Sequence, residues 1–445
     1  MQVSINKILF ILFMLCGTHL MYSFPYLYVG NTGDTSVSVV DVATNEVTTT
    51  IDLVSPPTPL TPQYVSMAVT PDHTTVYVGC SHFQDGFLAS INIPTNTQNL
   101  PAISMPGNTP VAIAITPNGK KAYLGCPFSG TVAILDLASQ TFETPISGGG
   151  LAQPREIAIT PNGLYAYVSD QGAAGVWPIN LTNNSLGTLI STPSPLIPYG
   201  IAIAPNGAYA YVAAGTNVLQ LNLSNPLNPT VIPLGVSGNA LSDLTITADG
   251  NTLYVIDNYN ATVTPVDITN PTAPVVGTAL SIGIILTTGP WAIVIGPDRN
   301  SAYVSNQNTS GPGNLTLLDI TNRLAPTIKG QINVGDNPFS LALAIPLYPP
   351  ATINGCKTRN VFMLQADYIN NITWTPPSTG ETPVAYNIYR DAALTELIAT
   401  VPASGALQYY DHSLNPNVIY SYYISSVDVY GNESTAASVT VTKSC

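Results

Sequence analysis

Three stretches, ITPNGKKAYLGC (Ile115–Cys126), ITPNGLYAYVSD (Ile159–Asp170) and IAPNGAYAYVAA (Ile203–Ala214), follow one another at 44-residue intervals. In each, an aliphatic run ends in a Pro-Asn-Gly turn and a Tyr-aliphatic pair follows. The Asn-Gly pair supplies the positive φ that a tight hairpin turn requires. The run before the turn alternates, as in VAIAI (Val111–Ile115) and EIAIT (Glu156–Thr160). A further alternating run follows the Tyr, as in TVAILDL (Thr131–Leu137). Period-2 alternation over four to eight residues, bounded by turns, predicts strands.

Working outward, the Tyr element occurs seven times, at Tyr28, Tyr77, Tyr123, Tyr167, Tyr211, Tyr254 and Tyr303, with separations of 49, 46, 44, 44, 43 and 49 residues. Each copy holds four short strands, the fourth weaker, as in VTTTIDL (Val47–Leu53). No stretch of ten residues carries a helical stripe. Four strands per repeat of this length predict one propeller blade per copy. The first copy lacks its leading strand, and SLALAI (Ser340–Ile345) after the seventh copy resembles the missing piece. The chain's end then completes its beginning, and the ring has no exposed sheet edge. The expectation is an all-β chain: a seven-bladed β-propeller over residues 24–346 with a β-sandwich behind it. The regular Tyr residues are expected to pack between blades.

The P-[ND]-G turn, the Y-V-x-N element and the V-x-aliphatic-[DN] element resemble the YVTN family of bacterial β-propeller repeats over roughly residues 25–346. The fourth to sixth copies depart from that pattern at Asp170, Ala214 and Asp257. The resemblance implies a propeller and fixes no activity, because such rings host enzymes, lectins and scaffolds.

A Pro-rich stretch, 347–355, reads as a linker, and residues 356–445 resemble a fibronectin type III domain. The signs are Trp374 on a strand, Tyr420 or Tyr422 as a tyrosine-corner residue, and a GNES loop after IYSYYISSVDVY. No Arg-Gly-Asp triplet occurs.

Only 8% of the residues are charged, against roughly 25% in average soluble proteins. The net charge is -13 and no basic run exists. That composition argues against nucleic acid and against an anionic membrane surface as partners. Residues 1–23 read as a signal peptide, with Lys7 before the apolar run Ile8–Cys16, which is too short to span a bilayer. The protein is therefore expected to be exported, to the periplasm, the cell surface or the medium, with no membrane span left after cleavage. In an oxidising compartment a Cys356–Cys445 bridge is the expectation, against two separate thiols. Cys80 and Cys126, at matching positions of adjacent copies, read as small buried residues.

The four histidines, His19, His73, His82 and His412, show no metal-ligand spacing, and there is no Cys-x2-Cys. No metal and no cofactor are expected. There is no Gly-x-Ser-x-Gly elbow. Gly148-Gly149-Gly150 lacks the helix and Lys of a phosphate loop. The residues that enter the inner strands are expected to ring one channel mouth: Gln63 and Tyr64, Val111, Arg155 and Glu156, Tyr199, Asp243, Trp291 and Phe339. Aromatics with one Arg and two acids suit a carbohydrate or a peptide side chain, against side chains that plug and pack the mouth with Arg155, Glu156 and Asp243 as a structural ion-pair cluster. The leading expectation is an exported binding protein for an unidentified protein or carbohydrate. The alternatives are a lactonase- or lyase-type propeller enzyme using Arg155, Glu156, Asp243 and His82, and a structural surface-layer component.

Overall fold

The computed structural model describes residues 25–54, 64–82, 85–105, 108–193, 196–283, 289–308, 311–345, 347–362, 365–377, 383–428 and 433–445. The predicted signal segment, His19 and Gln63 lie outside the described residues. Among those described, every regular element is a strand, and no helix is long and apolar enough to cross a membrane.

Seven antiparallel sheets of four or five strands follow one another along the chain to Ala344. The first is built from both ends of that region: Tyr26–Asn31 pairs on one side with Ser36–Asp41 and on the other with Pro338–Ala344. The inner strands are Tyr64–Val69, Ala112–Ile115, Pro154–Ile159, Pro198–Ile203, Leu241–Ile246, Pro290–Ile295 and Pro338–Ala344. Each contacts the next, and the last returns to the first.

Packing shows why the period closes. Seven buried apolar clusters form, each filling the space between two neighbouring sheets. One joins Leu27, Val29 and Val40 of the first sheet to Tyr303, Leu315 and Leu317 of the seventh. The seven repeat tyrosines are all buried in these clusters. Several of their hydroxyls cross to a turn of the following sheet. Tyr123 Oη donates to Asn184 Oδ1 at 2.8 Å, Tyr167 Oη to the Pro226 carbonyl at 2.8 Å, and Tyr303 Oη to Asn45 Oδ1 at 2.7 Å. The acceptors Asn45 and Asn184 sit at turn positions with φ of 58° and 56°. Asparagine tolerates that conformation and offers an oxygen there.

The Pro-Asn-Gly turn is closed by the preceding residue: Thr116 Oγ1 donates to Asn118 Oδ1, and Gly119 takes φ 65°. His73 and Arg299 occupy the same turn position at φ 52° and 59°, which makes His73 a turn residue.

Thr352–Phe362 is already a strand, paired with Gln365–Thr375, so regular structure begins inside the stretch assigned to a linker. Pro349 and Pro350 mark the break, and the β-compatible Thr-Ile that follows enters the ladder. Two further sheets form here, with orders Thr352–Phe362, Gln365–Thr375, Gln408–Asp411 and Leu397–Pro402, Ala385–Tyr389, Tyr420–Val427, Ala437–Val441. They share a core of Ile372, Trp374, Tyr386, Ile388, Tyr422, Ile424 and Val441. Tyr422 Oη donates to Asp411 Oδ2 at 2.6 Å, and Asp411 also accepts from Arg390. A disulfide joins Cys356 to Cys445, while Cys80 and Cys126 are free and buried. Burial pushes the Cys126 thiol up to about 12 and raises that of Cys80 further.

Candidate functional site

The inner strands carry a recurrent irregularity that sets the site. In five of the seven, one residue is inserted against the neighbouring strand: at Phe339, Arg155, Tyr199-Gly200, Ser242 and Trp291-Ala292. A bulge turns its side chain out of the ladder's alternation and re-aims it. Four bulges follow a proline, Pro154, Pro198, Pro290 or Pro338, whose missing N–H suits the strand's first position.

These bulges converge on one cavity of about 320 Å³, bordered by Arg155, Glu156, Tyr199, Asp243, Trp291 and Phe339 among others. With Val111, which also borders it, seven of the residues named from the sequence are thus brought together. Tyr64 opens its strand opposite Ser81, where the register is unbroken, and Val65 borders the cavity in that sheet. Asp243 lies one residue deeper than the bulged Ser242, level with Glu156. His82 pairs with Asp85 at a strand end. His412 belongs to the C-terminal sheets, where Nδ1 lies 2.7 Å from Asp367 Oδ2. Among the described residues no group of three His, Cys, Asp or Glu side chains is placed to hold a metal ion.

The walls have distinct characters. Trp291 and Phe339 form an aromatic side, their rings 4.8 Å apart and tilted by 33°. Opposite in character is the charged side. Arg155 Nε donates to Gln171 Oε1 at 2.8 Å, which orients the guanidinium. The Glu156 backbone N–H donates to Ser169 Oγ, and Ser169 Oγ donates to the Tyr199 carbonyl at 2.6 Å. Asp243 Oδ2 accepts the Ile293 N–H at 3.0 Å, tying the sixth sheet to the seventh. Gly200 is required beside it, because a Cβ there would lie 2.8 Å from both Asp243 Cα and Oδ1.

Glu156 and Asp243 are surrounded by protein and open only onto the lumen. Burial raises Glu156 to about 8, and the charge of Asp243 adds to the effect. Burial likewise raises Asp243 to about 7, against the opposing pull of the Ile293 and Leu244 amides. Desolvation disfavours each anion, and two nearby carboxylates disfavour double ionisation. Both carboxyls are thus held well above the ordinary carboxylate range. Gln171 Nε2 and Ser242 Oγ, also on the cavity border, have no hydrogen-bond partner among the described residues.

In two copies the last residue of the Tyr element holds the loop that enters the mouth: Asp170 accepts from the Ala152, Gln153 and Ala173 amides, and Asp257 from those of Asn239, Ala240 and Asn260.

No protein-family model matches the chain, and no curated protein matches it. Solved structures do resemble it. The periplasmic gluconolactonase of Pseudomonas aeruginosa superposes with a TM-score of 0.57 at 16% identity, over 72% of this chain and 99% of its own. A protein of Bacteroides uniformis assigned as a candidate 6-phosphogluconolactonase gives 0.58 at 16% identity, over 72% and 99%. The Swd1 β-propeller domain of Myceliophteria thermophila gives 0.51 at 9% identity, over 63% and 89%. Likeness at these identities shows the fold, an all-β propeller, and nothing of the chemistry.

Proposed function

We propose that this chain is an exported seven-bladed propeller of YVTN-type repeats, with a fibronectin type III-like sandwich behind it, that opens a small neutral cyclic ester at its channel mouth. The observation that carries the reading is the Glu156–Asp243 pair, raised to about 8 and about 7 and set with Arg155 on one cavity. Titratable groups whose environments bring them near neutrality and hold them in different protonation states can divide acid and base roles. The fold is shared with a periplasmic gluconolactonase and with a candidate 6-phosphogluconolactonase, so the scaffold is compatible with lactone opening, and the acid pair is what favours it over a binding role.

The chemistry follows from the geometry. The ionised carboxyl takes a proton from a water that adds to the lactone carbonyl carbon. The Arg155 guanidinium stabilises the negative charge that develops on the carbonyl oxygen. As the ring C–O bond breaks, the neutral carboxyl gives its proton to the departing ring oxygen. One water is consumed and a hydroxy acid leaves. A phosphorylated lactone fits poorly, since the described border offers one cation against two acids.

The test is lactone opening by the purified mature chain, followed in a pH-stat with δ-gluconolactone and δ-valerolactone. Glu156→Gln and Asp243→Asn should each lower kcat on the order of 100-fold or more without altering the circular dichroism spectrum. Opening no faster than the spontaneous rate would end the hydrolytic reading. Binding without turnover, lost on replacing Trp291, would then favour a recognition role built on the Trp291–Phe339 wall.

A further inference from the structure

Below the acid pair the channel changes character. Met67 and Leu341 border the mouth cavity and also a second cavity of about 640 Å³, so the two are stacked on one lumen. The second is walled by aliphatic side chains of the same inner strands, including Val69, Ile115, Ile159, Ile203 and Leu343. Turn prolines Pro71, Pro117, Pro161 and Pro205 border its far end. Its described border holds two polar side chains, Thr70 and His73, and the Thr70 hydroxyl is committed to Asp72 and the Thr75 carbonyl.

The sequence cause is visible in the inner strands. Below the level of Glu156 they read Ile-Ala-Ile at 157–159, 113–115 and 201–203, Met-Ala-Val at 67–69 and Leu-Ala-Leu at 341–343. Ile113, Ile157 and Ile201 pack between sheets, whereas the last residue of each run, Val69, Ile115, Ile159, Ile203 or Leu343, is only partly buried and presents hydrocarbon to the lumen. Water in such a space finds few partners, and apolar cavities favour apolar guests. A continuous apolar surface of this kind, reached through a polar mouth, marks a binding site more often than chance exposure.

We infer that the substrate of the mouth site is an amphipathic lactone whose unbranched alkyl tail runs down this lumen past Met67 and Leu341. The inference rests on the lactone-opening reading and narrows it. The ester ring sits between the acid pair and the Trp291–Phe339 wall. The tail has a depth of roughly 10 Å available, three residues of strand from Glu156 to Ile159. Each methylene it carries exchanges water for aliphatic wall.

A tail-length series tests this: δ-valerolactone, δ-decalactone and δ-dodecalactone, carrying no tail, a pentyl tail and a heptyl tail. With the full mature chain, kcat/KM and calorimetric affinity should both rise about three- to fourfold per methylene until the lumen is filled. Ala158→Phe, which adds a ring at the border of the second cavity, should flatten the series; if that variant misfolds, the wild-type series alone decides. Affinity and kcat/KM independent of tail length overturn the inference, whatever the turnover. Affinity rising with tail length in the absence of turnover sustains the tail site and refutes lactone opening. Turnover of δ-valerolactone with no gain along the series does the reverse.

Discussion

Removing one hydroxyl, by Tyr303→Phe, measures whether the ring is closed in solution. Tyr303 belongs to the seventh sheet and Asn45 to the first, 258 residues apart in sequence. Their hydrogen bond has the geometry of the Tyr123–Asn184 bond between the third and fourth sheets. Phenylalanine keeps the ring that packs against Leu27 and Leu315, so only the hydrogen bond is lost. A net intramolecular hydrogen bond stabilises by roughly 0.5–1.5 kcal/mol. Asn45 is half-buried and can turn to water, so no stranded polar group adds to the cost. The expected loss is about 1 kcal/mol, or about 1–2 °C in Tm for a domain of this size. Tyr123→Phe, inside the array, should cost the same. Urea unfolding of both variants in parallel gives the comparison. A closed ring makes the two positions equivalent, whereas an open array would leave the contact between its terminal sheets unmade. Loss of about 1 kcal/mol for Tyr123→Phe with none for Tyr303→Phe would refute closure.

Two further outcomes follow from the mouth. Gly200→Ala forces a Cβ against Asp243 and the Ser242 carbonyl, which a backbone cannot yield to cheaply. It should cost about 1–3 kcal/mol and depress lactone opening, whereas Gly330→Ala, where a Cβ meets nothing within 4 Å, should be neutral in both denaturation and turnover. Because Glu156 and Asp243 are raised in the folded state, that state binds more protons than the unfolded chain between about pH 4 and pH 8. Their contribution is full below the unfolded carboxyl range and is lost as pH rises through about 7 and about 8. Wild type should therefore lose stability across that window relative to the Glu156→Gln, Asp243→Asn double variant. Parallel pH-dependent urea titrations that stay a constant distance apart would contradict the assigned burial.

The parts of this molecule legible in its sequence are those written as repeats. Alternation, the Pro-Asn-Gly turn and the Tyr element each recur, so a misreading in one copy is corrected by the others. The mouth is different because a ligand site must break the symmetry of its frame. Its residues are placed by bulges, and an inserted residue leaves no trace in period-2 alternation. A signal was nonetheless present: a proline followed by Arg155, Tyr199, Trp291 or Phe339, at the start of a strand that otherwise reads aliphatic. Proline tolerates the strand's first position and the bulky neighbour takes the turned-out one. Gln171, which orients Arg155, lies on the neighbouring chain segment and no local pattern connects it. The same inner strands that look redundant as a repeat thus do two tasks along their length. Their bulged entries differ from sheet to sheet and build a polar, asymmetric mouth, while the Ile-Ala-Ile, Met-Ala-Val and Leu-Ala-Leu continuations of five of them build an apolar bore. A ligand matched to both needs a polar ring at one end and a tail without features at the other, which is why tail length, more than ring chemistry, separates the readings of this channel.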